Sequence, residues 1–116
     1  LNAYGYSLAL HKLHLDKSEK LIRKALDIRP GQAAILDSLA WVLYLKGSYK
    51  EAAKYSSLAY SKDQDPEIIE HHYLILLKNG NSNEAKSILD QSIKNNPNSE
   101  KLLKLLDSSE NAAIKL

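Results

Sequence analysis

Residues 36–52 read Leu-Asp-Ser-Leu-Ala-Trp-Val-Leu-Tyr-Leu-Lys-Gly-Ser-Tyr-Lys-Glu-Ala. With Ile35 before them, Leu36, Leu39, Ala40, Val42, Leu43 and Leu45 fall at helical spacing. Gly47 follows Lys46, and a glycine just past a helix supplies a left-handed stop. Ser48 with Glu51 three positions on predicts a capping box, the hydroxyl accepting from the first turn and Glu51 reaching back to the Ser48 N–H. Ala52, Ala53, Tyr55, Leu58 and Ala59 then carry a second helix to about Lys62. The stretch is one helix–turn–helix hairpin.

The same plan recurs downstream. Pro66 suits a first helical turn, Ile68, Ile69, Tyr73, Leu74, Leu76 and Leu77 form an apolar stripe, and Asn79-Gly80 ends it. Asn81 and Glu84 restart a helix through Ala85, Ile88, Leu89, Ser92 and Ile93 towards Pro97. Upstream the plan is less regular. Tyr4, Leu8, Leu10 and Leu13 fit one helix, and Leu21, Ile22, Ala25, Leu26 and Ile28 a second. No glycine separates them, so a joint is expected near His14-Leu15-Asp16, with Asp16 and Glu19 resembling a third box. Residues 99–106 predict a last helix, capped by Asn98 or Ser99, that covers the end of the stack with Leu102, Leu103, Leu105 and Leu106. Beyond Asp107-Ser108-Ser109 the pattern weakens, although Ala112, Ala113 and Ile114 could add a turn.

The spacing between hairpins is nearly constant. Ser18 to Ala52 and Ala25 to Ala59 are equal steps; Ala52 to Ala85 and Gly47 to Gly80 are each one position shorter. A period of about 34 residues means stacked helical hairpins. The expectation is an all-α superhelix in one domain: repeats over about 1–30, 33–65 and 66–98, and a capping helix over about 99–107. Small residues at 25, 52, 59 and 85 let the helices of a hairpin cross closely, since larger side chains would push the axes beyond about 8–10 Å.

Composition narrows the function. The chain has 116 residues, 44% of them hydrophobic, and a net charge of +2, which gives no general pull towards nucleic acid or an anionic membrane. No apolar run approaches the ~20 residues needed to span a bilayer, so no direct membrane insertion is expected. There is no Cys, which excludes disulfides and thiolate chemistry. The chain opens Leu1-Asn2-Ala3-Tyr4 and reads as a piece of a longer protein whose targeting signals lie elsewhere.

These residues resemble the tetratricopeptide repeat. The middle repeat offers Leu36, Leu39-Ala40, Leu43, Ala52 and Ala59; the third Ile69, His72-Tyr73, Leu76, Ala85, Leu89, Ser92 and Pro97; the first Gly5, Ser18, Ile22, Ala25 and Pro30. Departures are Tyr73 in place of a small residue, and Gln64 where proline is usual, with Pro66 two positions later. More narrowly, residues 34–44 and 1–9 are similar to the C-terminal repeats of bacterial envelope tetratricopeptide proteins, including outer-membrane lipoproteins that act as scaffolds. That likeness would imply a periplasmic setting; a cytoplasmic one stays open.

The resemblance implies a protein-interaction scaffold whose first helices line a concave face. Mapped here, that face is Asn2, Tyr6, Asp37, Trp41, Tyr44, Glu70, Leu74 and Leu77. Aromatic anchors beside two carboxylates would suit a peptide with apolar side chains and a basic residue. Trp41 and Tyr44 have a second reading, as side chains packed between repeats that bind nothing. Asp37 and Glu70 stand where tetratricopeptide domains that clamp acidic chaperone tails present Lys and Asn, so no such tail is expected to bind. The other function considered is structural: repeats that pack on further repeats or on a second copy, with the partner site elsewhere. RNA binding is a third, which the acidic face argues against.

Little else carries chemistry. Lys17, Lys20, Arg23 and Lys24 share an outer face balanced by Asp16, Glu19 and Asp27, as a solvated face would be. His11 and His14 can share a helix face, whereas His71 and His72 are adjacent and cannot point the same way. Neither pair has the third ligand that zinc requires. No phosphate loop or nucleophile motif is legible, so no enzyme activity, metal or cofactor is expected.

Overall fold

The computed structural model describes the backbone of residues 3–114 and the side chains of residues 10–110. Six helices account for the ordered elements among the described residues: α1 Ala3–Ile28, α2 Ala33–Leu45, α3 Tyr49–Lys62, α4 Pro66–Lys78, α5 Ser82–Asn95 and α6 Glu100–Ile114. The hairpin α4–α5 repeats α2–α3 helix for helix: the first helix has 13 residues and the second 14 in both.

The turn inside each hairpin has the same mechanism. Gly47 and Gly80 take φ of 86° and 79°, the left-handed region open to glycine. Gly47 N–H donates to the Tyr44 carbonyl at 3.0 Å and Ser48 N–H to Leu43 at 2.9 Å; Gly80 and Asn81 do the same to Leu77 and Leu76 at 3.1 and 2.9 Å. These bonds explain why the expected capping boxes at Ser48–Glu51 and Asn81–Glu84 do not form. The backbone donor that Glu51 or Glu84 would reach for is already given to the preceding helix, and neither Ser48 nor Asn81 makes a side-chain cap bond. Asp65 caps α4 instead, accepting from Glu67 N–H at 3.2 Å with Pro66 behind it. Ser99 caps α6, accepting from Leu102 N–H at 3.3 Å.

The expected joint near His14-Leu15-Asp16 is also corrected. α1 runs unbroken for 26 residues, about 39 Å at helical rise. One full repeat before Gly47 stands Leu13. A leucine resists the left-handed conformation that stops the other two first helices, so the chain continues as helix. Asp16 and Glu19, read as a third cap, lie mid-helix and both accept from Lys46 Nζ, just past the end of α2, at 2.6 and 2.7 Å.

Packing follows the alanines. Ala40 and Ala52 are fully buried and meet in one cluster with Leu39, Leu43 and Ile75. At the next crossing Tyr73 meets Ala85 in a cluster with Ile69, Leu76, Leu89 and Leu102. The bulky residue is accommodated because its partner position stays small. Gln64, at the usual proline position, ties its side-chain amide to the Tyr60 carbonyl at 3.0 Å. α6 closes the stack with Leu102 buried and Leu105 and Leu106 half-buried, but Leu103 points outward at 41% exposure. The helix also continues past the expected end at 107 to Ile114.

α2, α4 and α6 form one layer in which each touches its neighbour; α1, α3 and α5 form a second layer whose backbones stand apart from one another. The closely spaced layer is the shorter, inner side of an α-α superhelix. The all-α superhelical expectation therefore holds, with the first hairpin left open.

Candidate functional site

The inner layer presents one face of α2, α4 and α6. At its α2 end is an aromatic ladder. Trp41 and Tyr44, almost one helical turn apart on α2, lie with ring centroids 4.7 Å apart and planes 19° apart. Trp41 also stacks on His71 of α4 at 4.1 Å and 18°. Tyr44 leans on Tyr49 at 5.7 Å, and Lys78 Nζ sits 5.7 Å from the Tyr49 ring centre. Trp41 and Tyr44 stay half-buried, so each keeps part of its surface in solvent.

Asp37 is not open in the groove. It is 8% exposed and accepts from His71 Nδ1 at 2.8 Å, while His71 is 9% exposed. The pair fixes the imidazole ring on which Trp41 stacks. His72, as expected, faces the other way: its Nδ1 lies 2.7 Å from Ser56 Oγ, and its ring stacks on Tyr60 at 5.2 Å. The Ser56 hydroxyl also meets the Ala53 carbonyl at 3.2 Å. Burial pushes the His72 imidazole below its ordinary value, against a smaller opposing pull from Glu84.

At the other end of the face, Glu70 is half-buried and pairs with Lys101 of α6 at 3.3 Å. Two shallow depressions lie between α4 and α6. One of about 480 Å³ is charged, lined by Glu70, Glu100, Lys101, Lys104, Leu105 and Ser108. The other, of about 370 Å³, is mostly apolar: Tyr73, Leu74, Leu77, Leu105, Ser108 and Ser109. Leu74 is half-buried and Leu77 is 40% exposed.

Of the eight residues expected on this face, Trp41, Tyr44, Glu70, Leu74 and Leu77 lie along it, and Asp37 supports it from beneath. Asn2 and the side chain of Tyr6 lie outside the described residues. Sequence reasoning missed His71, Lys101, Lys104, Leu105 and Ser108. Residues 99–107 read as a cover, yet α6 occupies the place of another first helix and so adds to the inner face. His71 carried a usable signal, because adjacent histidines on a helix point apart, one towards each neighbouring layer.

The outer basic residues are partly engaged. Arg23 pairs with Glu19 at 2.8 Å and with Glu51 at 3.3 Å, joining α1 to α3. The Lys46 ammonium, hydrogen-bonded to Asp16 and Glu19, holds both carboxyls below the usual carboxylate range, with Arg23 adding to the effect at Glu19. Among the described residues no group of three or more His, Asp or Glu side chains could hold a metal ion. No described helix is long and apolar enough to cross a membrane.

No protein-family model matches the chain. Over 71 residues it is 37% identical to a TPR repeat-containing protein of Pseudomonas aeruginosa, a match that takes in 61% of this chain. The matched part spans only 12% of that relative's length. Tandem hairpins of equal helix lengths and buried alanines at their crossings agree with this likeness to a tetratricopeptide-repeat protein.

Proposed function

We propose that this chain is a non-enzymatic scaffold that binds a peptide or partner protein along the inner face of α2, α4 and α6. The observation that carries this reading is Trp41. It is held flat between Tyr44 and His71 and still keeps part of its surface in solvent. A side chain whose only role was packing between repeats would be covered, as Leu39 and Leu43 are at 0% and 2% exposure. A fixed aromatic surface offers large contact area with little side-chain entropy left to lose on binding.

The partner chemistry follows from what is already paired. Asp37 is committed to His71, and Glu70 to Lys101. The face therefore favours apolar and aromatic side chains, seated on Trp41 and Tyr44 at one end and in the Leu74, Leu77 and Leu105 depression at the other. A basic partner residue has little to meet at Asp37.

Peptides selected on the wild-type protein from a random display library test the location. In two-dimensional NMR, such a peptide should shift the amides of α2, α4 and α6. Shifts confined to α3 and α5 would overturn the reading.

The structural alternative, repeats that pack on further repeats or a second copy, is favoured by one observation. The α1 edge of α2 is left open, with Ser38 and Leu45 exposed.

A further inference from the structure

The open edge has the shape of a missing helix. Between the second and third hairpins, Leu36 of α2 covers Ala59 and Ile68, and all three are at most 5% exposed. One repeat earlier, the counterparts of Ala59 and Ile68 are Ala25 and Ile35. Both are only half-buried, and they line an apolar recess of about 350 Å³ with Ile28 and Arg29. The same holds along the whole edge. Ala52 is 0% exposed and His71 9%, whereas their counterparts Ser18 and Ser38 are half-buried and exposed. Small residues at 18, 25 and 38 would let a helix approach closely. Among the described residues no helix lies there.

The chain carries a segment of the right kind, but α1 holds it away. The apolar spacing of residues 4–13 is that of a first helix, and Leu10 and Leu13 are 40% and 49% exposed. With Leu13 in the place of the turn glycine, this segment continues α1 as one unbroken helix and cannot fold back onto Ser18 and Ala25 of its own chain. Two copies of α1 laid antiparallel resolve both problems together. The half before residue 13 in each copy lies along the half after it in the other, the antiparallel arrangement of the closed hairpins α2–α3 and α4–α5.

We infer that the vacant edge is filled by the N-terminal half of α1 from a second copy, giving a symmetric dimer by exchange of one helix. The interface is isologous, and the unbroken α1 is the hinge in its open form. The exchange completes the first repeat of both copies.

Size-exclusion chromatography with light scattering tests this across a dilution series. The wild-type chain should run at twice its 13.0 kDa mass. Leu13→Gly restores the left-handed stop, lets the segment fold back on its own chain and should give a helical monomer. Ser38→Arg places a charge in the seat at a position exposed in the isolated chain, and should also give a monomer with unchanged helicity. If Leu13→Gly fails to fold, Ser38→Arg decides alone. A wild-type monomer overturns the inference, as does a dimer that persists in Ser38→Arg or in folded Leu13→Gly.

Discussion

His71 donates from Nδ1 to Asp37 Oδ1 across 2.8 Å, and the pair ties α4 to α2 directly beneath the ring of Trp41. The bond sets the plane of the imidazole, and the imidazole sets the plane of the indole. A polar pair that packs two repeats together thus also shapes the surface they present.

Asp37→Ala should therefore have two effects. It leaves the His71 N–H buried without a partner, which should cost about 1–3 kcal/mol of stability. It also frees the ring beneath Trp41. Urea unfolding followed by the fluorescence of Trp41, the sole tryptophan, should show a lower midpoint. The folded baseline should also be altered. An unchanged midpoint would contradict the structural role given to the pair.

Gly47→Ala isolates the cost of the left-handed turn. A Cβ at Gly47 meets nothing within 4 Å, while φ is 86°, so the penalty is backbone strain alone, about 1–2 kcal/mol. Gly80→Ala should cost a similar amount, since its φ is 79° and its Cβ position is equally open. Thermal unfolding of both variants checks this. A cost near zero in both would remove the explanation given for the unbroken α1.

Much of the fold was legible because its signals are local. Gly47 and Gly80 announce turns by their own conformational freedom, and Ala52 and Ala85 announce crossings by their size. The capping boxes misled because their residue pattern is local, whereas the donors they needed were spent on the preceding helix. The first turn misled for the opposite reason. Apolar spacing survives on both sides of Leu13, but spacing does not bend a chain without a residue that accepts the bend. At the site, Trp41 and Tyr44 were legible as an i, i+3 pair on one helix face. The engagement of Asp37 by His71 was not, because it depends on the rotation of α4 against α2.

Acidification should weaken the fold through His72. Burial lowers its pKa below the ordinary 6.5, so just below that pH the unfolded chain binds more protons than the folded one. Stability from this group is whole above 6.5 and falls as pH drops below it. His72→Gln should flatten that part of the curve of unfolding free energy against pH, measured in urea. Equal slopes in wild type and variant would contradict the assignment.

The central claim is that Trp41 and Tyr44 form a binding surface. The most direct test is calorimetric affinity for a peptide selected on the wild-type chain, compared with Trp41→Ala and Tyr44→Ala variants whose helicity is intact by circular dichroism. Anchors of this kind carry about 2 kcal/mol or more each, so each variant should bind at least about tenfold more weakly. Unchanged affinity in both folded variants would contradict the account.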